Sequence, residues 1–568
     1  GTQGFVNQSS INSLAVFDDG AGASLYAAGE FVTADGIEVQ NVAKWSGSTW
    51  WPLPHGVNGP IEALVAFDDG SGHALYAGGF FSEIAGFSAK DIAKWNGFEW
   101  SSLGTGAGGQ SLDYVTSLAA FDDGGGLALY AGGSFLKMGG TTVHNVAKWN
   151  GSSWSALAGG VDGPVFALQV FDDGNGPKLY AGGAFSNAGA GAAQSIAAWN
   201  GTAWTSVGSW VSASPTVYAL EVFDDGSGPA LFAGGSFQTV GSPLADNVAQ
   251  WNGFTWNFLG SGVVAGMLVH GVNNTVSALR VFDDGTGSAL YVGGKFAIAC
   301  GVLANRIAKW DGSNWSALAS GVTSAAFGNP GRVAALSVFD DSGGSKLYAG
   351  GLFDQAGGAP AANLACWDGA SWSTLGSGLD STVLSLCTFD DSSGPALFVG
   401  GAFHRAFDSG DWHLAKWGCP FVSSGSTYCT SGTSSNGCVS AMSSSGLASA
   451  TSTSAFTISV TGVDASRSGL LLYGIHGPLA SPWGFNGTSR LCVKAPQQRM
   501  GLQNSGGTPG ACDGSLSEDW NAYISAHSSS LGSPFTGGET VWAQAWFRDP
   551  LAVKNSALSN GLVFSVAP

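Results

Sequence analysis

Apolar and polar residues alternate from Val165 to Phe171, with the period of a β-strand. Phe166, Leu168 and Val170 are expected on one face, and Val165, Ala167 and Gln169 on the other. Asp172-Asp173-Gly174-Asn175-Gly176 interrupts the alternation. Asp side chains cap such turns and Gly supplies positive φ. Leu179-Tyr180-Ala181 then resumes the strand pattern. The stretch therefore predicts a β-hairpin with a loop of about five residues. Gly182-Gly183 closes it where the backbone bends or no side chain fits.

The same turn begins at Phe17, Phe67, Phe121, Phe171, Phe223, Phe282, Phe339 and Phe389, at intervals of 50 to 59 residues. Each repeat has a second half such as Asn145-Val146-Ala147-Lys148-Trp149, then Asn150-Gly151, then Ser152-Ser153-Trp154. Asn-Gly between two β runs signals a second hairpin. Four strands repeated at this period predict one propeller blade per repeat. The fold expected is all-β: an eight-bladed β-propeller over residues 1–420, then a small β-sandwich-like domain over 421–568.

The eighth repeat reaches Trp417 and then Gly418-Cys419-Pro420, without an Asn-Gly turn or a following Trp. Residues 1–10 precede the first full hairpin, and Gly1 to Val6 align with Trp51 to Gly56. They are expected to close the ring as the outer strand of blade eight, which removes an exposed edge. The rival is that Phe421-Val422 forms that strand and the N-terminal segment pairs with another molecule. Fifteen of the 22 Trp recur at two blade positions and are expected in the packing between blades. The acidic and Asn-Gly turns are expected on one face. The irregular segments, such as 186–194, 261–275 and 321–332, are expected on the other, where a partner would bind.

Charge changes the picture in one respect. The net charge is −19, and the eight Asp pairs contribute 16 of the negative charges, leaving −3 without them. Acidity confined to one class of turn argues against nucleic acid and against anionic membrane as partners. The pairs Asp18/Asp19, Asp68/Asp69, Asp122/Asp123, Asp172/Asp173, Asp224/Asp225 and Asp283/Asp284 are candidate calcium ligands, Ca²⁺ being the only cofactor considered for them. Turn capping is the simpler role, because adjacent carboxylates fall short of an alternating ligand ladder. Asp341-Ser342-Gly343-Gly344 occupies the same turn and is not read as a nucleophile motif.

Other chemistry is sparse. The eight His do not form a metal pattern, although His404 and His413 share one repeat and His270 lies in the longest loop. Glu30, Glu83, Asp113, Asp354, Asp408 and Asp411 break the repeat pattern and are the acids available to a glycosidase. Solvated loop acids explain them better. Eight Cys without CxxC spacing predict disulfides and an oxidising compartment. Local spacing favours Cys429–Cys438 and Cys492–Cys512, leaving Cys300, Cys366, Cys387 and Cys419 open. The chain begins at Gly1 without Met, so a removed signal peptide is expected. No membrane insertion is expected.

After Pro420 come a Ser/Thr/Gly-rich stretch and β-like runs at Phe456–Val460, Gly469–Tyr473, Arg490–Val493, Thr540–Phe547 and Leu562–Val566. Ser515–His527 has helical apolar spacing at Leu516, Trp520, Tyr523 and Ile524.

The pattern LYAGG…NVAKWNGSSW resembles the kelch blade. The whole chain resembles a group of secreted repeat proteins of planctomycete-type bacteria. The features that carry this are the FDDGSG-LYAGG repeats and a tail with Tyr428-Cys429-Thr430, Asn436-Gly437-Cys438, Leu491-Cys492-Val493-Lys494 and Trp546-Phe547-Arg548-Asp549. The resemblance implies secretion and a propeller followed by a sandwich, and it implies no activity. The function expected is a noncatalytic extracellular structural or adhesive protein, self-associating into a surface layer or filament. The alternative is a lectin-like propeller binding a cell-surface glycan or protein. A secreted hydrolase or oxidase is the weakest of the three readings.

Overall fold

In a computed structural model the chain divides into two compact units, Gly1–Trp417 and Gly418–Pro568. The structure describes every residue except 1–9, 35–36, 48, 55, 209–214, 239–244, 261, 265–266, 325–330, 342–343, 392–394, 407–412, 419–425, 429–430, 432, 446–447, 449–454, 477, 483–489, 528, 534, 536–539, 551–555 and 567–568. The described residues are strands and turns with one helix, so the chain is all-β.

Among the described residues the first unit carries eight main sheets with antiparallel successive strands, one per sequence repeat, together with small two- and three-stranded ladders. The first sheet is Ser10–Asp18, Ala23–Glu30, Val42–Trp45 and Trp50–Pro52, paired in that order. The fourth is Val165–Asp172, Pro177–Gly183, Ile196–Trp199 and Trp204–Ser206. The eighth has three described strands, Val383–Asp390, Pro395–Gly401 and Leu414–Gly418. Residues 1–6 and 421–422, the two candidates for its outer strand, lie outside the described residues.

Apolar residues fill the space between consecutive sheets. Phe17 and Tyr26 of the first sheet pack with Leu75, Trp95 and Trp100 of the second. Ile11, Leu25 and Trp50 of the first pack with Phe389, Phe398 and Leu414 of the eighth, so the succession of sheets closes on itself. The Gly-Gly pair permits this approach. A Cβ on Gly182 would lie 2.6 Å from Val217 Cγ1 of the next sheet, and one on Gly400 would lie 2.6 Å from Ile11 Cγ2. Real Cβ atoms do not tolerate such distances, so a larger residue at these two glycines would push the sheets apart, whereas the first sheet accommodates Ala28 at the same position.

The simple alternation expected in the first strands is corrected by the structure. Every first strand slips register against its second strand immediately after a buried Ile or Val. Val165 opposes Gly183 and Ala167 opposes Gly182, so Phe166 is the extra residue of a β-bulge. The bulged residues are Asn12, Glu62, Thr116 and Phe166 in the first four sheets. In the last four they are Tyr218, Ser277, Ala334 and Leu384. A bulge twists its strand and re-aims one side chain.

The segments between second and third strands are also more regular than expected. Asn187–Ala188 pairs with Gly191–Ala192 in a small ladder, and five other sheets carry the same ladder. Gly262–Val264 and Met267–Gly271 form a hairpin within the longest insertion. An Asn at positive φ ties this end of a sheet together. Asn145 Oδ1 accepts from Phe135 N at 3.0 Å and its Nδ2 donates to Val161 O at 2.7 Å. Asn41, Asn247 and Asn363 do the same.

The second sheet has Asp91 there, buried, accepting from Phe81 N at 2.9 Å. The carbonyl in the register of Val161 is that of Ala107, which a carboxylate cannot satisfy. Burial, with the charge of Asp113 added, pushes the Asp91 carboxyl up to about 7 despite the Phe81 N–H. The folded state then keeps a proton that the unfolded chain releases near pH 4. Stability present below that pH is lost as the pH rises toward 7. Asp91→Asn is expected to leave stability unchanged at pH 4 and to raise it by about 1–3 kcal/mol at pH 8, measured by denaturant unfolding. A difference independent of pH would contradict this account.

In the second unit, Ser426–Tyr428, Ser556–Ser565, Thr540–Arg548, Ser468–Gly474 and Gln498–Arg499 pair in that order. A second sheet pairs Ala441–Ser445, Thr457–Val463 and Gly514–Asp519. Ile458, Val460, Leu471, Tyr473, Val541, Leu562 and Phe564 from the two sheets share one core with Trp520. The helix covers only Trp520–Ala526; residues 514–519 are strand, and Asp519 caps the helix by accepting from Ala522 N. The expected disulfides are corrected. Cys438 bonds Cys512 across 74 residues, which excludes both Cys429–Cys438 and Cys492–Cys512. Cys492 is itself disulfide-bonded, and Cys429 and Cys419 lie outside the described residues. Local loop length favoured the near pairs. Sheet packing instead brings the 434–438 turn against the strand beginning at Gly514, with the two Cα atoms 5.4 Å apart.

Candidate functional site

The eight acidic turns are the most conspicuous chemical feature of the chain. In each described turn the first Asp caps the loop. Asp18 Oδ1 accepts from Gly20 N at 2.9 Å and Gly22 N at 3.0 Å. Asp68, Asp122, Asp172, Asp224 and Asp283 repeat the arrangement.

The second Asp turns inward. Asp123 is reached by Lys148 Nζ at 2.5 Å, Tyr130 OH at 2.7 Å and Gly125 N at 3.1 Å. Lys44, Lys94, Lys309 and Lys416 approach Asp19, Asp69, Asp284 and Asp391 from the same third-strand position. Three sheets lack that lysine, and each retains a donor. Gln250 Nε2 reaches Asp225 at 3.0 Å. Where the third strand has Ala198, Lys178 of the second strand reaches Asp173 at 2.5 Å. Where it has Cys366, Lys346 reaches Asp341 at 2.5 Å.

The node also joins sheets. Trp149 Nε1 of the third sheet donates to Asp69 of the second at 3.1 Å, and Trp45 Nε1 of the first donates to Asp391 of the eighth at 3.0 Å. The turn between third and fourth strands of the next sheet, Ser46-Gly47 in the first sheet, lies against the same aspartate. Gly47 has φ +95°, and a Cβ on it would meet Asp391 O at 2.6 Å. Fourth-strand Trp residues add a second link: Trp154 Nε1 donates to Leu103 O at 2.9 Å and Trp315 Nε1 to Leu259 O at 2.6 Å.

Burial alone would raise the inward carboxyls. The lysine, tyrosine and turn amides outweigh it and hold Asp19, Asp69, Asp123, Asp173 and Asp284 below the usual carboxylate range. This stability is present above about pH 4 and is lost as the pH falls toward the lowered values. The carboxylate oxygens of these calcium candidates thus serve as acceptors for the protein's own donors. An open cleft of about 600 Å³ lies beside the first of them, lined by Phe17, Asp18, Asp19, His73 and Asn96.

The nonrepeated acids do not converge on one place. Glu83 is exposed, and Asp113 accepts from Gln110 N at 3.2 Å. Asp354 borders a hollow of about 170 Å³ with Thr374 and Leu375. Asp408 and Asp411 lie outside the described residues. Glu30 is close enough to the bulged Glu62 to contribute to raising its carboxyl, after burial and against the hydrogen bond from Asn12. Glu62 was missed in the sequence. His404 and His413 have ring centroids 5.4 Å apart, and burial pushes His413 down to about 4. The side chain of His270 is outside the described residues.

No protein-family model matches the chain, and no curated protein matches it. Solved structures match only distantly. The extracellular domain of a protein assigned as a one component system of B. thetaiotaomicron aligns at 8% identity and TM-score 0.23, over 100% of this chain and 99% of that one. An ancestral GH74 enzyme aligns at 11% identity and TM-score 0.26, over 98% and 84%. Likeness at this level carries no argument about fold or activity.

The lysine exchange supplies a test. Lys178→Ala is expected to destabilise the protein by about 1–2 kcal/mol by stripping Asp173 of its ammonium. Adding Ala198→Lys in the same chain should restore most of the loss in thermal unfolding. Failure of the second substitution to restore any of it would show that the two positions do not serve one carboxylate.

Proposed function

We propose that the first unit is an eight-bladed kelch-like β-propeller, that the second is a β-sandwich-like domain, and that the protein is a noncatalytic extracellular structural or adhesive protein that self-associates. The observation that carries this is the use of the repeated acidic turns. Their carboxylates cap loops and bond lysine, tyrosine and tryptophan, which is scaffold chemistry. The closed succession of sheets supports the propeller reading. The Cys438–Cys512 disulfide supports an oxidising, extracellular setting. No helix among the described residues is long and apolar enough to cross a membrane.

Apolar contact points favour association. Phe98 and Phe254 stand 82% and 76% exposed at the tips of two Asn-Gly turns, and Trp51 and Phe258 are exposed on outer strands. Large apolar side chains in such places serve as contacts with another protein surface. A second reading, glycan binding at the face opposite the acidic turns, is favoured by the variety of the bulged residues.

Negative-stain microscopy of the full chain over a concentration series tests the first reading. Ordered assemblies are expected, and Phe98→Ala with Phe254→Ala should reduce them. Dispersed single particles at every concentration would contradict self-association. On this reading the turn aspartates need no calcium, so chelation with EDTA should move the melting temperature by no more than about 1 °C. A calcium-dependent rise of about 5 °C or more would instead make the turns a cation site.

A further inference from the structure

The eight bulges occupy one position in eight equivalent strands, yet no two carry the same residue. Their neighbours hardly vary: Ile or Val precedes the bulge, Ser or Ala follows, and Leu comes next in all eight repeats. A position with a purely structural task in a repeated fold would be expected to repeat as its neighbours do. The first strands pack against one another around the unit, the first against the eighth included. The bulged residue lies near the start of its strand, at the end opposite the acidic turn.

The differences are ordered around the succession of sheets. Asn12, Glu62 and Thr116 make a polar arc, in which Asn12 Nδ2 donates to Glu62 Oε1 at 3.1 Å. Phe166 and Tyr218 follow as an aromatic arc, with ring centroids 5.6 Å apart and planes at 33°. Tyr218 is 42% exposed, and Glu62, beside Glu30, reaches solvent although its surroundings partly desolvate the carboxyl. The remaining three bulges are small or aliphatic.

We propose that this circle of bulged side chains is a binding site for a neutral saccharide chain. Two adjoining aromatic rings offer faces for the C–H surface of sugar rings, which is apolar, while the Glu62 carboxylate and the Thr116 oxygen, whose proton goes to Val165 O at 2.7 Å, can accept from sugar hydroxyls and the second N–H of the Asn12 amide can donate to one. None of the eight residues is a cation, so the site has nothing to neutralise a phosphate or sulfate. The bulge gives each side chain its aim while the residues on either side keep their packing, so specificity is written in positions the scaffold constrains least, Thr116 with its bond to Val165 O being the exception. The proposal rests on the propeller reading of the first unit and is independent of self-association.

The test uses the full chain against immobilised neutral hexasaccharides of the cello-, laminari-, xylo- and chito- series, with affinity for any positive measured by calorimetry. At least one series should bind. Phe166→Ala and Tyr218→Ala should each weaken binding by about tenfold or more, and Glu62→Gln by about threefold. Tyr218→Phe keeps the ring and should retain most of the affinity, which separates stacking from loss of folding. Phe98→Ala, at the opposite face, should leave binding unchanged. No binding to any series, or binding indifferent to the bulged residues, would overturn the site. Capture of a deglycosylated protein through the same residues, without any saccharide binding, would overturn the ligand class. New reducing ends released from a bound saccharide, and lost in Glu62→Gln or Glu30→Gln, would leave the site standing and overturn the noncatalytic reading.

Discussion

A buried aspartate reached by a lysine is the interaction on which the first unit depends. Seven of the eight sheets bring an ammonium to the second Asp of the acidic turn, and the other brings Gln250. A carboxylate taken out of water is costly unless charge and hydrogen bonds replace its hydration. Here the replacement is shared between strands of one sheet and, at Asp69 and Asp391, a tryptophan of the next. A local turn thereby becomes a joint between sheets. The consequence appears at the closure, where Asp391 and Trp45 meet as Asp69 and Trp149 do.

The rest of the packing is fitted to that joint. Glycine is required in the turn between third and fourth strands because that turn presses on the preceding sheet's aspartate, at Gly182 and Gly400 because a Val or Ile of the next sheet fills the Cβ position, and at Gly183 because a Cβ would meet Pro164 O of its own sheet at 2.0 Å. The paired Trp residues fill the widening gap, with ring centroids 5.3 to 5.5 Å apart. With scaffold duties assigned this way, the bulges carry the variety.

Much of this was legible in the chain. Period, turn chemistry and the two Trp positions are local signals, and they suffice for an all-β repeat architecture. The exchange of Lys148 for Lys178 was not legible, because one ammonium serves the same carboxylate from two strands and only space shows that. The Cys438–Cys512 bond was missed because loop length says nothing about which turns a sheet brings together. The bulges were missed for a related reason. Alternation was read through Phe166 as though the strand were regular, although the invariant Leu beside a position that differs in every repeat was the available signal.

Hydrogen exchange of the full chain, read by mass spectrometry, tests the closed succession of sheets most directly. If the Asp391–Trp45 joint works like the others, peptides from Ser10–Asp18 and Val383–Asp390 will exchange as slowly as those from Val165–Asp172. Faster exchange confined to the first and eighth sheets would be the behaviour of an open array with fraying ends, and would contradict the account.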